Sequence, residues 1–191
     1  MITQGILSSP QIRALCENTD SPMIYPFVGE SVKEVYGKKV ISYGLSSMGY
    51  DIRLGTQFKK PVGGILDPKA ADVTTWEVFD SDVPFLLPPN TSILGVSVER
   101  FNLPADVIAI SVGKSSYARV GAFPFITPLE PAWAGFLTIE ISNIGALPIR
   151  IYPNEGLTQL LFFRGTPPEF TYADKGGKYQ NQEEVPQESK V

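Results

Sequence analysis

The sequence contains no histidine. That absence removes Ser-His-Asp and Cys-His nucleophile pairs and the zinc sites that depend on imidazole. Cysteine occurs once, as Cys16. An intramolecular disulfide and a cysteine-only zinc site are therefore excluded, and a reducing compartment is expected. No apolar run reaches the roughly 18 residues that a membrane helix needs. The N-terminal MITQGILSSPQ has no basic segment followed by an apolar core, so the expectation is a cytoplasmic chain without a secretory signal. Positive charge is not in excess. Sixteen Lys and Arg stand against 20 Asp and Glu, a net charge of −4, which disfavours broad nucleic-acid binding. Chemistry is left to carboxylates, hydroxyls, Lys, Arg, Tyr and backbone groups. A magnesium ion carried mainly by substrate phosphates stays compatible, because it needs few protein ligands.

What is present is a turn-rich, core-forming chain. Apolar residues make up 43% and charged residues 19% of 191 positions, which suits one globular domain. Seventeen prolines and 17 glycines argue against a helical bundle, because proline breaks helix interiors. Short apolar or alternating runs predict strands at Val40–Tyr43, Tyr50–Phe58, Trp76–Phe79, Val83–Leu87, Ser92–Val98, Val107–Val112, Phe136–Ser142, Leu147–Tyr152 and Thr158–Arg164. Such a series points to an antiparallel sandwich or barrel. Ser8-Ser9-Pro10 predicts a capped helix start with proline at the first helical position, followed by Gln11–Glu17, with Ile12 and Leu15 facing the core. Ser115–Val120 reads as a second short helix. We expect one domain over 1–170 and a polar tail over 171–191.

Four stretches carry candidate chemistry. GKSSYARVG, residues 113–121, looks like the end of a P-loop, but the glycine required five places before Gly113 is Ile108, so that motif is absent. Its hydroxyls and backbone N–H groups at a helix start, flanked by Lys114 and Arg119, suit an anion; on the string alone a capped surface helix with two ordinary cations is the simpler reading. In FLTIEIS, alternation puts Leu137, Ile139 and Ile141 on one face and Thr138, Glu140 and Ser142 on the other. Glu140 is then either a solvent-facing glutamate or, in a pocket, a proton-transfer carboxylate. The prolines of TPLEPAWAG enforce a turning loop, which either presents backbone groups to a flat ring or packs Trp133 on the core. In SSMGYDIRLG, Asp51 and Arg53 share a strand face, most simply as a structural ion pair.

Taken in order, SYGLSSMGYDIRLG, LGVSVERFNLPADV, GKSSYARVG, TPLEPAWAGFLTIEISN, IYPNEGLTQLLFF and YADKGGKYQNQ resemble the dCTP deaminase family, from about Ile6 to Gln182. The resemblance implies a mainly β fold: a distorted antiparallel jelly-roll or barrel of the dUTPase-like type with a few short helices. It implies a homotrimer with sites between subunits. It also implies conversion of dCTP to dUTP and ammonia without zinc, on a magnesium-bound triphosphate, with dTTP as a possible feedback inhibitor and neither nucleic acid nor membrane as partner.

Carried onto this sequence, the resemblance assigns phosphate contacts to Lys114 and Ser116, and the catalytic water to Ser115. Tyr117 and Ala118 lie in the same nucleotide-binding string, and Arg119 stands beside Glu140, the proton donor and acceptor. Thr127 and Glu130 belong to the nucleoside loop, where the backbone of residues 126–128 is a candidate for orienting the water. Thr138 and Ile139 line the nucleoside, Gln159 contacts the nucleotide, and Tyr172, Lys178 and Gln182 lie in a tail closing over the triphosphate. Two positions depart from the family's usual residues. Phe125 stands where many relatives carry Asn or His, and Lys114 where many carry Arg, whose bidentate fork lysine lacks. Three other functions stand beside this one. A pure dUTPase finds no good match for its catalytic Asp, with Glu130 in that region. A bifunctional deaminase and dUTPase, and a trimeric nucleotide-binding module without turnover, differ from the first reading in their products.

Overall fold

The computed structural model describes residues 4–17, 19–125 and 127–190. Its strands are β1 (Gly5–Ile6), β2 (Ile24–Tyr25), β3 (Ser31–Val35), β4 (Lys38–Ser46), β5 (Gly49–Gly64), β6 (Thr74–Asp80), β7 (Phe85–Leu87) and β8 (Ser92–Asn102). They continue as β9 (Val107–Ser111), β10 (Ala122–Pro124), β11 (Pro128–Leu129), β12 (Ala134–Asn143), β13 (Ile149–Ile151) and β14 (Gly156–Arg164). The helices are α1 (Ser9–Ala14) and α2 (Ser115–Ala118). Among the described residues, twelve strands join in one curled sheet, and β7 and β13 pair apart from it. The mainly β, antiparallel expectation therefore holds.

The sheet curls because β5 serves both of its halves. Its first residues pair with β4 and β14, and from Gln57 it pairs with β6. Between these spans the register with β8 shifts from Leu54 to Phe58. A strand that shifts register bends, and so carries the chain from one layer to the other. Gly55 sits at the bend, where a Cβ would lie 2.9 Å from the Val96 carbonyl oxygen. Tyr50, Ile52, Leu54 and Phe58 from β5, Phe101 from β8, Ile141 from β12 and Leu160 and Phe162 from β14 are all buried between the layers. Each fully buried side chain of this size contributes about 1.5–3 kcal/mol.

All nine expected strands are present, with moved ends. β5 runs on to Gly64, β7 begins only at Phe85 after Pro84, and β13 is shortened to three residues. α1 closes at Ala14 rather than Glu17, and Pro10 is its second residue, with Ser8 as the cap. The Ser8 backbone N–H donates to Gln11 Oε1 at 2.9 Å, one arm of a capping box. Ile12 is buried and Leu15 packs against the core, as the spacing predicts. α2 covers the first part of the second expected helix.

Candidate active site

β12 is the strand on which the site is built. β8 pairs along its whole length. On its other edge β10 pairs only from Ile141 to Asn143. The open edge near Ala134–Thr138 exposes backbone groups that need partners, and the C-terminal tail supplies them. The Asn181 N–H donates to the Ala134 carbonyl at 2.7 Å, and the Phe136 N–H to the Gln182 carbonyl at 3.0 Å. Gly135, at φ +140, makes this approach possible, since a Cβ would lie 2.6 Å from the Gln182 nitrogen. Trp133 Nε1 donates to the Tyr179 carbonyl at 2.8 Å, and the Tyr179 N–H donates to the Tyr172 hydroxyl at 3.0 Å. Tyr172 lies against Gly177, where any Cβ would strike its ring. The YADKGGKY string therefore folds on itself before it reaches β12.

The tail roofs a cavity of about 940 Å3. Seven of the expected site residues line it: Thr127, Glu130, Thr138, Glu140, Tyr172, Lys178 and Gln182. The polar face of β12 is thus not a wet surface: Thr138 is buried, and Glu140 is half-buried opposite Leu94. Burial holds the Glu140 carboxyl above its ordinary value, a shift only partly offset by a backbone hydrogen bond. Such a carboxyl keeps its proton to higher pH and is a stronger base once it has lost it. Thr138 Oγ1 accepts from Gln182 Nε2 at 3.3 Å and from the Gln187 N–H at 3.0 Å. Beyond it, Glu188 pairs with Lys59 at 2.6 Å, so the end of the chain also lines the cavity. Phe125 presents an aromatic wall beside Glu140, its ring edge-on to Phe123 at 5.3 Å.

The other expected residues lie elsewhere in the chain. None of residues 114–119 lines this cavity. Ser115, Ser116, Ala118 and Arg119 are exposed on α2, and Tyr117 is buried beneath it, its hydroxyl accepting the Tyr152 N–H at 3.0 Å. Lys114 Nζ donates to Asp51 Oδ2 at 2.6 Å. Gln159 is half-buried, its amide donating to Ser46 Oγ at 3.1 Å. Within one chain, then, Ser115 and Arg119 do not line the cavity that holds Glu140; the Gly113 carbonyl just before them accepts the Gln159 N–H at 3.1 Å. Ile139 faces the core, 3% exposed, so its side chain is on the opposite face of β12 from Thr138 and Glu140. Thr127 and Pro128 of the 126–128 loop are described; Ile126 lies outside the described residues.

Sequence reasoning missed Trp76 and the β5–β6 loop, which supply the wall opposite β12 through Leu66, Asp67 and Pro68. Nothing in the pattern of β6 marks Trp76, whose buried indole N–H has no partner among the described residues. The ion pair expected between Asp51 and Arg53 is also replaced. Arg53 pairs instead with the fully buried Glu99 at 2.8 Å. No three His, Cys, Asp or Glu side chains cluster to hold a metal among the described residues. None of the described helices is long and apolar enough to cross a membrane.

The family described as dCTP deaminase-like matches residues 6–165. A protein of Campylobacter concisus named dCTP deaminase is 47% identical over 185 residues, which is 95% of this chain and 96% of the relative. One from Acidobacterium capsulatum with the same name is 48% identical over 167 residues, 85% of this chain and 88% of its own. Among solved structures, the 2'-deoxycytidine 5'-triphosphate deaminase of Agrobacterium tumefaciens superposes with a TM-score of 0.61 at 23% identity. That match covers 85% of this chain and 49% of the Agrobacterium chain, and it supports the fold.

Proposed function

The chain belongs to the dCTP deaminase-like family, and from that premise we propose that it hydrolyses dCTP to dUTP and ammonia. The observation that carries the proposal is the roofed cavity in which a half-buried Glu140, with its proton affinity raised, stands beside Thr138 under the tail. A flat base with polar edges suits such a space: aromatic and apolar walls for its faces, a few polar groups for its rim.

In the proposed reaction Glu140 takes a proton from a water that attacks C4 of cytosine. The proton passes to N3 as the tetrahedral intermediate forms. Glu140 then takes the proton of the new C4 hydroxyl and delivers it to the C4 amine, so that ammonia leaves as C4 becomes a carbonyl. Positioned proton transfer supplies about 10²–10⁴-fold. The His and Cys ligands of the zinc route to an activated water are lacking, since the chain has no histidine and one cysteine, so the proposal takes a zinc-free route. Orientation of the water and hydrogen bonds to the intermediate must supply more. Ser115 and the backbone at Thr127 and Pro128 are the groups we assign to that task.

The triphosphate is assigned to Lys114, Ser116, Arg119, Lys178 and Gln159. Magnesium would arrive on the phosphates and screen their charge, needing few protein ligands. Because none of Lys114–Arg119 lines this cavity within one chain, the proposal requires a second copy to bring its α2 to it. A homotrimer with sites between subunits meets that requirement. The nucleotide displaces the Gln187 N–H from Thr138, and the tail over 171–182 stays as the lid. dTTP, which shares the triphosphate and a pyrimidine ring, would compete for the same cavity. Ammonia release from dCTP, compared between the wild type and Glu140→Gln, tests the assignment; near-normal turnover by a folded variant would remove Glu140 from it.

A further inference from the structure

Asp51 belongs to a stretch that the proposed reaction leaves unused. Its expected partner Arg53 is taken by Glu99, and Asp51 turns to Lys114, 63 residues away, at 2.6 Å. The two side chains are only 9% and 10% exposed. Lys114 stands at the start of α2, one residue after Gly113, whose φ is +75.

The backbone of this turn is already fixed by β14. The Gly113 N–H donates to Thr158 Oγ1 at 2.8 Å, and the Gly113 carbonyl accepts the Gln159 N–H at 3.1 Å. The Val112 N–H donates to the Gln159 carbonyl at 2.9 Å. Asp51 is the direct cross-strand partner of Gln159, so their side chains share one face of the sheet. The turn is thus held by β14 and its ammonium by β5.

A lysine stem has much rotamer freedom to lose on binding, and a group ordered beforehand loses less. An ammonium has three N–H donors. Asp51 takes one and leaves two for an anion. An arginine would carry its direction in its own planar fork; lysine needs a second group to supply it. We infer that Asp51 is a positioning residue that aims the Lys114 ammonium at a phosphate oxygen of the nucleotide. Without the carboxylate, a nearly buried ammonium is left without a partner and turns toward water. The inference rests on the reading of Lys114 as a phosphate contact.

Steady-state kinetics with dCTP on Asp51→Asn, Asp51→Glu, Lys114→Ala and the Asp51→Asn/Lys114→Ala double variant test it, with a melting curve for each. The expected result is a KM raised at least about tenfold in Asp51→Asn with kcat changed less than about threefold, an effect carried by one charge-assisted bond. Asp51→Glu raises KM less. The double variant is no worse than Lys114→Ala, because the two side chains act as one unit. A wild-type KM in Asp51→Asn, a KM effect additive with that of Lys114→Ala, or kcat and Tm falling together with KM unmoved would overturn the inference. Where Asp51→Asn does not fold, Asp51→Glu keeps the charge and reads the same KM effect at smaller size; a wild-type KM there counts against it. If Lys114→Ala itself leaves KM unchanged, the phosphate reading of Lys114 fails. If it raises KM and Asp51→Asn does not, the inference about Asp51 alone fails.

Discussion

Glu140 gains its proposed role from its surroundings, and the same surroundings have a stability consequence. Burial raises its carboxyl above the ordinary value of 4.5. The folded chain then binds this proton more tightly than the unfolded chain does. Stability linked to Glu140 is fully present below 4.5 and is lost as pH rises through the raised native value. At neutral pH the charged carboxylate therefore costs stability. Glu140→Gln removes that cost and the base together. We expect ammonia release to fall about 10²–10⁴-fold, while the melting temperature at pH 8 equals or exceeds that of the wild type. Melts repeated near pH 4 should bring the two proteins together. A variant that melts well below the wild type at pH 8 would contradict this. For the same reason kcat should decline on acidification at a pH above the usual carboxylate range. A rate profile flat down to pH 4 would exclude Glu140 as the base.

At the scale of elements, the tail is the part whose removal separates lid from core. Truncation after Phe170 removes the Trp133 and Gly135 contacts, the buried Gln182 and the edge packing of Tyr172, but none of the fully buried hydrophobic side chains between the layers. It should raise KM for dCTP by tenfold or more, as the loss of several ligand-ordering bonds implies, with the melting temperature little changed. Unchanged KM would sink the lid. Gly177→Ala is a finer probe, since its Cβ strikes the Tyr172 ring; it should weaken dCTP binding in the same direction. Both tryptophans, Trp76 and Trp133, line the cavity, so a dCTP-dependent change in intrinsic fluorescence should report closure and diminish in either variant.

The long elements were legible in the sequence because alternation and turn residues mark them. β1, β2, β3, β10 and β11 were not, being two to five residues long. They exist through pairing with longer neighbours, which no local pattern encodes. Glu140 could be placed on the polar face of β12, but alternation alone leaves open whether that face is wet. What decides it is the tail, some 40 residues on, settling on the edge that β10 leaves open. The Asp51–Lys114 pair was hidden for a related reason: Asp51 has a nearer candidate in Arg53, and only the β5–β14 register with the Gly113 turn brings it to Lys114.

At the scale of the whole molecule, the cationic string does not line the cavity of its own chain, so the proposed site spans two copies. Mixing subunits tests that arrangement. Glu140→Gln and Lys114→Ala homomers are each expected to be impaired. Dissociated and reassembled together, they should regain activity above either parent, because some interfaces combine an intact Glu140 from one copy with an intact Lys114 from another. No gain on mixing would place the whole site within one chain. The central claim is the reaction itself, and product analysis after incubation with dCTP and magnesium tests it most directly. The account predicts one ammonia for each dUTP formed, with dUTP accumulating. Pyrophosphate and dUMP in place of dUTP, or bound dCTP recovered intact without ammonia, would contradict it.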